Sequence, residues 1–224
     1  MLLTEKILIA LSKEYNDYYE IGFRIKHSYF SPNQHVAAYL MEDLRLLNRI
    51  QFKDCSTWRK FMKSSGGVTV LDHSPTGYIF LDKMLRKIDW SRKSLFDWIR
   101  FFGRKRYQLQ EQVILTMKHD KIIRNYHRGY KFLNPELRDV IRELVRTTLT
   151  SGIIPNQEIQ SFLALCAMMK KWYIQHGLIG RKEFSRSWFK KLRNWLNEIA
   201  RENIIAYWLQ YAYRQGPDIP VIFF

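Results

Sequence analysis

Cysteine is scarce in this chain of 224 residues: only Cys55 and Cys166 occur, far apart, and a chain of this size needs no disulfide staple. A reducing, cytoplasmic setting is the expectation. Glycine and proline are also few, at 10 and 6, which excludes low-complexity and linker-like character and points to regular elements packed on one another. No apolar run approaches the length of about 18 residues needed for a membrane-spanning helix. The N-terminal run from Met1 to Tyr15 carries Glu5 and Lys6 and has no basic leader, so it reads as an amphipathic helix and not a signal peptide.

Acidic residues are in short supply as well. There are 21 Asp and Glu against 37 Lys and Arg, a formal net charge of +16, and an excess of this size creates a positive field that calls for an anionic partner. Anionic membrane surface, nucleic acid and acidic protein all satisfy it. Chemistry-bearing motifs are missing too. The six histidines have no i, i+4 partner or nearby cysteine at metal-binding spacing, and there is no phosphate-binding loop ending in Gly-Lys-Ser/Thr. Asp72-His73-Ser74 resembles a catalytic triad only in its letters, because consecutive residues cannot point at one another in a relay. A non-enzymatic binding protein without a cofactor is therefore expected.

What is present is aromatic and helical. Hydrophobic residues make up 46% of the chain and aromatics 15%, enough for a sizeable core. Apolar spacing predicts a helix from Glu5 to about Glu14 capped by Thr4, and a second from Asn33 through Leu47 that exits into a strand ending at Phe52. Val68 to Leu71 reads as a strand. Ser74-Pro75-Thr76-Gly77 is turn chemistry, Tyr78 to Leu81 a short apolar strand, and Lys83 to Ile88 a helix. A helix carrying Leu95, Trp98, Ile99 and Phe102 ends at Gly103. From Tyr107 the layout of Leu44 to Phe52 returns: a helix bearing Leu109, Val113 and Met117, a strand at Lys121 to Arg124, and a hairpin turning at Arg128-Gly129. These are two helix-plus-hairpin units of the kind winged-helix domains use.

Pro135 opens a helix with Ile141, Leu144, Val145 and Thr148 on its buried side. Glu158 to Gln175 reads as one apolar, central helix. From Lys182 a basic amphipathic stretch carries Phe184, Trp188, Leu192, Trp195 and Ile199 at helical spacing. It fits an interfacial helix or a core helix with a solvated basic face, and closing a single core favours the second. The tail ends in the apolar Val221-Ile222-Phe223-Phe224, which must dock on the body or on a partner. The fold class expected is mostly α, a single compact domain over residues 1–224 with short β-hairpins. Its basic-aromatic surfaces are the cluster Arg100, Arg104, Lys105, Arg106 and Tyr107 and the hairpin Arg124, Tyr126, His127, Arg128, Tyr130 and Lys131.

Thr4 to Leu11, Leu44 to Phe52, and Ser74 to Asp82 with its Pro-Thr-Gly, apolar, Leu-Asp order follow one another as in the Golgi phosphoprotein 3 family. Tyr107-Gln108-Leu109, Lys121-Ile122-Ile123 and Leu163-Ala164-Leu165-Cys166 are similar to it too, so the resemblance extends to about residue 175. It implies a mostly helical peripheral membrane protein that binds phosphatidylinositol 4-phosphate through a Trp and several Arg, on the cytoplasmic face of a membrane. Where that Trp would fall stand Tyr29 and Phe30; where the first Arg would fall, His35 is the nearest polar group. The later Arg pair falls among Gln108, Gln110 and Gln112, just after Arg104 and Arg106. The family's membrane-facing hairpin matches the hairpin of Arg124, Tyr126 and Arg128. These eight residues are the candidate lipid contacts, and anionic lipid is the expected partner. A second copy of the chain or a membrane-protein tail are further partners, and nucleic acid is the alternative.

Overall fold

The computed structural model describes residues 1–22, 31–52, 67–91, 93–167, 172–206 and 209. The chain is mostly helical, as expected, with two small antiparallel sheets among the described residues. The chain divides into two compact units, Met1–Glu5 with Phe30–Lys121, and Lys6–Tyr29 with Ile122–Phe224.

Helix α1 covers Leu3–Ala10, shorter than its apolar pattern suggests. Thr4 is not the cap. In the first unit the backbone N–H groups of Leu3 and Thr4 donate to the buried Asp43 carboxylate at 2.6 and 3.2 Å, and the Thr4 hydroxyl donates to it too. Helix α2, Pro32–Leu46, starts with a reciprocal cap: the Gln34 N–H donates to Ser31 Oγ, and the Ser31 N–H donates to Gln34 Oε1. It is buried along most of its length, from His35 to Leu44, which makes it the central element of the first unit. A hairpin follows, β3 at Ile50–Phe52 and β4 at Val68–Val70, in the register Ile50↔Val70, Gln51↔Thr69, Phe52↔Val68.

Helix α3 covers Ile79–Asp89, so the expected strand at Tyr78 to Leu81 is the entry to a helix. Asp82 decides this. Its Oδ1 accepts from the Thr76 N–H at 2.8 Å and the Thr76 hydroxyl at 2.7 Å, folding the Pro-Thr-Gly turn onto the first helical turn. Phe80 and Leu81 are thereby buried with Met84, Leu85 and Ile88. Helix α4, Leu95–Phe102, is capped by Ser94 and packs on α2. Its Gly103 is required by that approach, since a Cβ there would lie 2.3 Å from Gln34 Cγ. A 3₁₀ turn at Lys105–Tyr107 leads into α5, Leu109–His119.

In the second unit β1, Lys13–Glu14, at the end of the stretch expected to be helical, and β2, Tyr19–Glu20, form a hairpin. It pairs edge to edge with a second hairpin, β5 at Ile123–Tyr126 and β6 at Gly129–Phe132, giving the order β1-β2-β6-β5. Because Tyr126 pairs with Gly129, the turn is His127-Arg128, one residue earlier than expected. Helix α6, Glu136–Ser151, buries Ile141, Val145, Thr148 and Leu149, whereas Leu144 is exposed. Arg138 on α6 is buried, pairs with Glu14 at 2.7 Å and lies over the Tyr19 ring. Arg142 donates to the carbonyl of Ala10 at 3.0 Å, where a cation suits the end of a helix.

The expected long central helix is helical at α7, Gln157–Cys166, and at the single turn α8, Trp172–Gln175. Met168 and Met169 lie outside the described residues. Cys166 is buried, and burial pushes its thiol up. Helix α9, Arg186–Glu202, packs on α7 through buried Leu192, Leu196, Ile199 and Ala200 and turns Lys190, Lys191 and Arg193 outward. This is the arrangement of a core helix with a solvated basic face.

Candidate functional site

The two helix-plus-hairpin units expected from the sequence share local geometry. After α2, the Leu47 N–H bonds back to the Asp43 carbonyl and Asn48 takes φ 55°; after α5, the Asp120 N–H bonds back to the Thr116 carbonyl and Lys121 takes φ 55°. Both helices then release the chain into a strand whose partner closes with the same backbone bond, Leu71 N–H to Arg49 in one hairpin and Leu133 N–H to Ile122 in the other. A non-glycine residue at positive φ is uncommon. Its recurrence in the same place marks one architectural device used twice.

Strand alternation then sorts the side chains of the four-stranded sheet. Ile123 and Phe132 are paired and buried, so one face is internal, and Tyr19, Tyr130 and Glu14 share it by register. The opposite face carries Arg124 directly across from Lys131. Lys131 Nζ sits 3.7 Å from the centroid of the Tyr126 ring, and His127 stands edge-on to Tyr126 at 4.4 Å. On the neighbouring hairpin Tyr15 and Tyr18 stack at 4.7 Å, with Lys13 over Tyr15. The ring of Tyr18 covers Gly129, where an added Cβ would lie 2.4 Å from it. Cations and tyrosines thus interleave across the face, with Arg128 exposed at the turn.

Like charges directly opposite one another on a strand pair are destabilising. Arg124, Arg128 and Lys131 have no ion-pair partner among the described residues. Glu20, the acid on this face, pairs in register with Lys13 and accepts from the Tyr15 hydroxyl at 3.1 Å. Among the described residues the Lys131 cation is eased by the Tyr126 ring alone, and an anion from outside would relieve the Arg124–Lys131 pair.

The other predicted residues fall elsewhere. Arg104 and Arg106 belong to the first unit, both exposed, each with its guanidinium 5.4 Å from the Phe101 ring centroid; Arg106 also donates to the Tyr107 hydroxyl at 3.2 Å. His35 is corrected. It is buried in α2 beside Tyr39, and desolvation lowers its pKa to about 4, so it cannot meet a headgroup at the surface. Tyr29 and Phe30 lie outside the described residues.

Sequence reasoning missed Lys13, Tyr15 and Tyr18, whose alternation is too short to signal a strand. It also missed a groove of about 350 Å³ in the first unit, floored by Phe80, Met84, Phe102 and Leu109 and edged by Lys83, Arg86 and Lys87. The interleaving of those apolar and basic residues along α3 was the available signal. No helix among the described residues is long and apolar enough to cross a membrane, and no group of three or more metal-ligating side chains occurs among them. No protein-family model matches the chain, and no curated protein matches it significantly.

Proposed function

We propose that this protein is a non-enzymatic peripheral membrane protein that attaches reversibly to anionic lipid through the outer face of the β1-β2-β6-β5 sheet. The observation that carries this reading is the cross-strand pair Arg124↔Lys131, two cations set together with no ion-pair partner among the described residues, beside a row of tyrosines. Near an anionic surface each basic residue contributes about 1 kcal/mol. Tyrosine, with an apolar ring and a polar tip, suits the headgroup boundary. The net charge of +16 steers the chain to such a surface from a distance.

Membership of the Golgi phosphoprotein 3 family and a preference for phosphatidylinositol 4-phosphate, at the cytoplasmic face of a membrane, are the finer parts of the proposal. The order of the Thr4 to Leu11, Leu44 to Phe52 and Ser74 to Asp82 segments supports them, and Arg104 and Arg106 are the exposed cations nearest the family's later Arg pair. Nucleic acid is the second reading, favoured by the repeated helix-plus-hairpin geometry, in which the β5–β6 hairpin would track phosphates as a wing does.

Flotation with neutral vesicles, phosphatidylserine vesicles and vesicles doped with phosphatidylinositol 4-phosphate, beside a DNA shift titrated against salt, separates the readings. Binding to both anionic vesicles that weakens with salt is expected, with the doped vesicles bound more tightly at equal surface charge. Binding to DNA alone, or no vesicle binding at low salt, would overturn the membrane reading.

A further inference from the structure

The groove of the first unit is a built site of a different kind. Its floor is apolar and aromatic, made by Phe80 and Met84 of α3, Phe102 at the end of α4 and Leu109 at the start of α5. Phe80, Met84, Phe102 and Leu109 are each at most 4% exposed, so the floor is firmly packed. Trp90, 86% exposed, also lines the groove, and an indole left in water beside an apolar trough is one of the largest uncovered apolar surfaces among the described residues.

The rim is charged with one sign. Lys83, Arg86 and Lys87 lie at i, i+3 and i+4 on α3, which places their heads side by side on one helix face. All three are exposed, and none has an ion-pair partner among the described residues. No carboxylate lines the groove among the described residues. Asp82, the acid within α3's first turn, is held by Thr76.

A neutral apolar ligand would leave the three cations unanswered, and a free anion would leave the floor wet. We infer that this groove binds a single-chain alkyl or acyl phosphate, its hydrocarbon on the Phe80–Met84–Phe102–Leu109 floor and its dianionic head among Lys83, Arg86 and Lys87. Its volume of about 350 Å³ is at the lower end for a ligand pocket, which suits one chain and not two. The guanidinium of Arg86 matches two phosphate oxygens, and a head with close to two negative charges answers three cations better than a carboxylate does. The site is independent of sheet-mediated attachment to a membrane, since it needs no bilayer.

The test is calorimetry with the full chain and soluble probes below their micelle concentrations: decyl phosphate, hexyl phosphate, inorganic phosphate and decyltrimethylammonium. Each methylene buried is worth roughly fourfold in affinity, so decyl phosphate is expected to bind at least tenfold tighter than hexyl phosphate, with inorganic phosphate and the cationic amphiphile far weaker. The surface substitutions K83Q/R86Q/K87Q are expected to lower decyl phosphate affinity at least tenfold with an unchanged circular dichroism spectrum. Trp90→Ser, which keeps the charges, is expected to shrink the decyl-to-hexyl ratio. Equal binding of inorganic and decyl phosphate would reduce the site to an anion patch and overturn the inference. So would equal binding of the cationic amphiphile, indifference to the triple substitution, or capture of an acidic amphipathic peptide by a groove that ignores decyl phosphate.

Discussion

The hairpins β3–β4 and β5–β6 are built on the same plan and dressed in opposite ways. Where the second sets Arg124 across from Lys131, the first sets Gln51 across from Thr69. Arg49, the cation beside the first hairpin, is neutralised by an ion pair with Asp72 and donates to the Pro75 carbonyl, whereas the cations of the second are left without carboxylates among the described residues. Helix α2, which feeds the first hairpin, hides the ionisable groups His35, Glu42 and Asp43 from water. A neutral pair therefore satisfies the scaffold at this position. The charged pair is tolerated at some cost in stability, and that cost points to a task other than folding.

Reversing the charges should have the largest effect. Arg124→Glu with Lys131→Glu turns attraction into repulsion at two positions, and at about 1 kcal/mol per basic residue for the lost attraction alone, vesicle affinity is expected to fall by roughly 100-fold or more. Vesicle sedimentation at low salt measures it.

The glycines that open the second strand of each hairpin come next. Gly129→Ala drives a methyl into the Tyr18 ring and the Tyr19 carbonyl oxygen, 2.4 and 2.5 Å away, and a clash of that kind costs about 2 kcal/mol. At Gly67 the nearest atom to an added Cβ is the Leu95 nitrogen at 3.4 Å, so Gly67→Ala is expected to change stability by only about 0.5 kcal/mol. Urea denaturation of the pair separates them, and equal costs would break the structural contrast.

The buried charges of α2 predict a pH dependence with two opposing parts. Desolvation raises Asp43 to about 7, against hydrogen bonds from Thr4 and Leu3 that favour its ionised form. The native state then holds a proton that the unfolded chain has released, so this group's contribution to stability is full below about pH 4 and is lost as pH rises towards 7. His35 has the reverse sign. Its pKa, lowered to about 4 by burial, makes the unfolded chain bind more protons between about 4 and 6.5, and stability rises across that window. In the wild-type chain the two slopes offset each other. Asp43→Asn should uncover a rise between pH 4 and 6.5 approaching 1.4 kcal/mol per pH unit, and His35→Gln should uncover a fall. Chemical denaturation across that range checks both signs.

The smallest effect is expected from charging the first hairpin. Gln51→Arg with Thr69→Lys recreates the juxtaposition on the neutral scaffold and should cost a few tenths of a kcal/mol.

Much of the scaffold was legible in the sequence because its signals are local. Pro135 opens α6, and the pattern of Leu109, Val113 and Met117 repeats that of α2 before a strand. Apolar runs of three or four residues misled, since Tyr78 to Leu81 carries no period long enough to tell a strand from a helix, and the Asp82–Thr76 bonds that decide it appear only once the turn is folded. The site was half legible. Arg124, Tyr126 and Arg128 announce themselves as a basic-aromatic hairpin, but Lys13, Tyr15 and Tyr18 join them through sheet pairing over a long separation. His35 failed as a surface candidate because α2 is buried almost all round, which its mixed polar and apolar residues did not suggest.

The most direct test gives the second hairpin the first one's neutral pair. Arg124→Gln with Lys131→Thr should leave unfolding free energy unchanged or a few tenths of a kcal/mol higher, as relief of cross-strand repulsion requires. The same protein should bind phosphatidylserine vesicles about 30-fold more weakly, the loss of about 1 kcal/mol at each of two cations. Unaltered vesicle affinity, or a loss of affinity accompanied by an equal loss of stability, would contradict the assignment of this pair to binding.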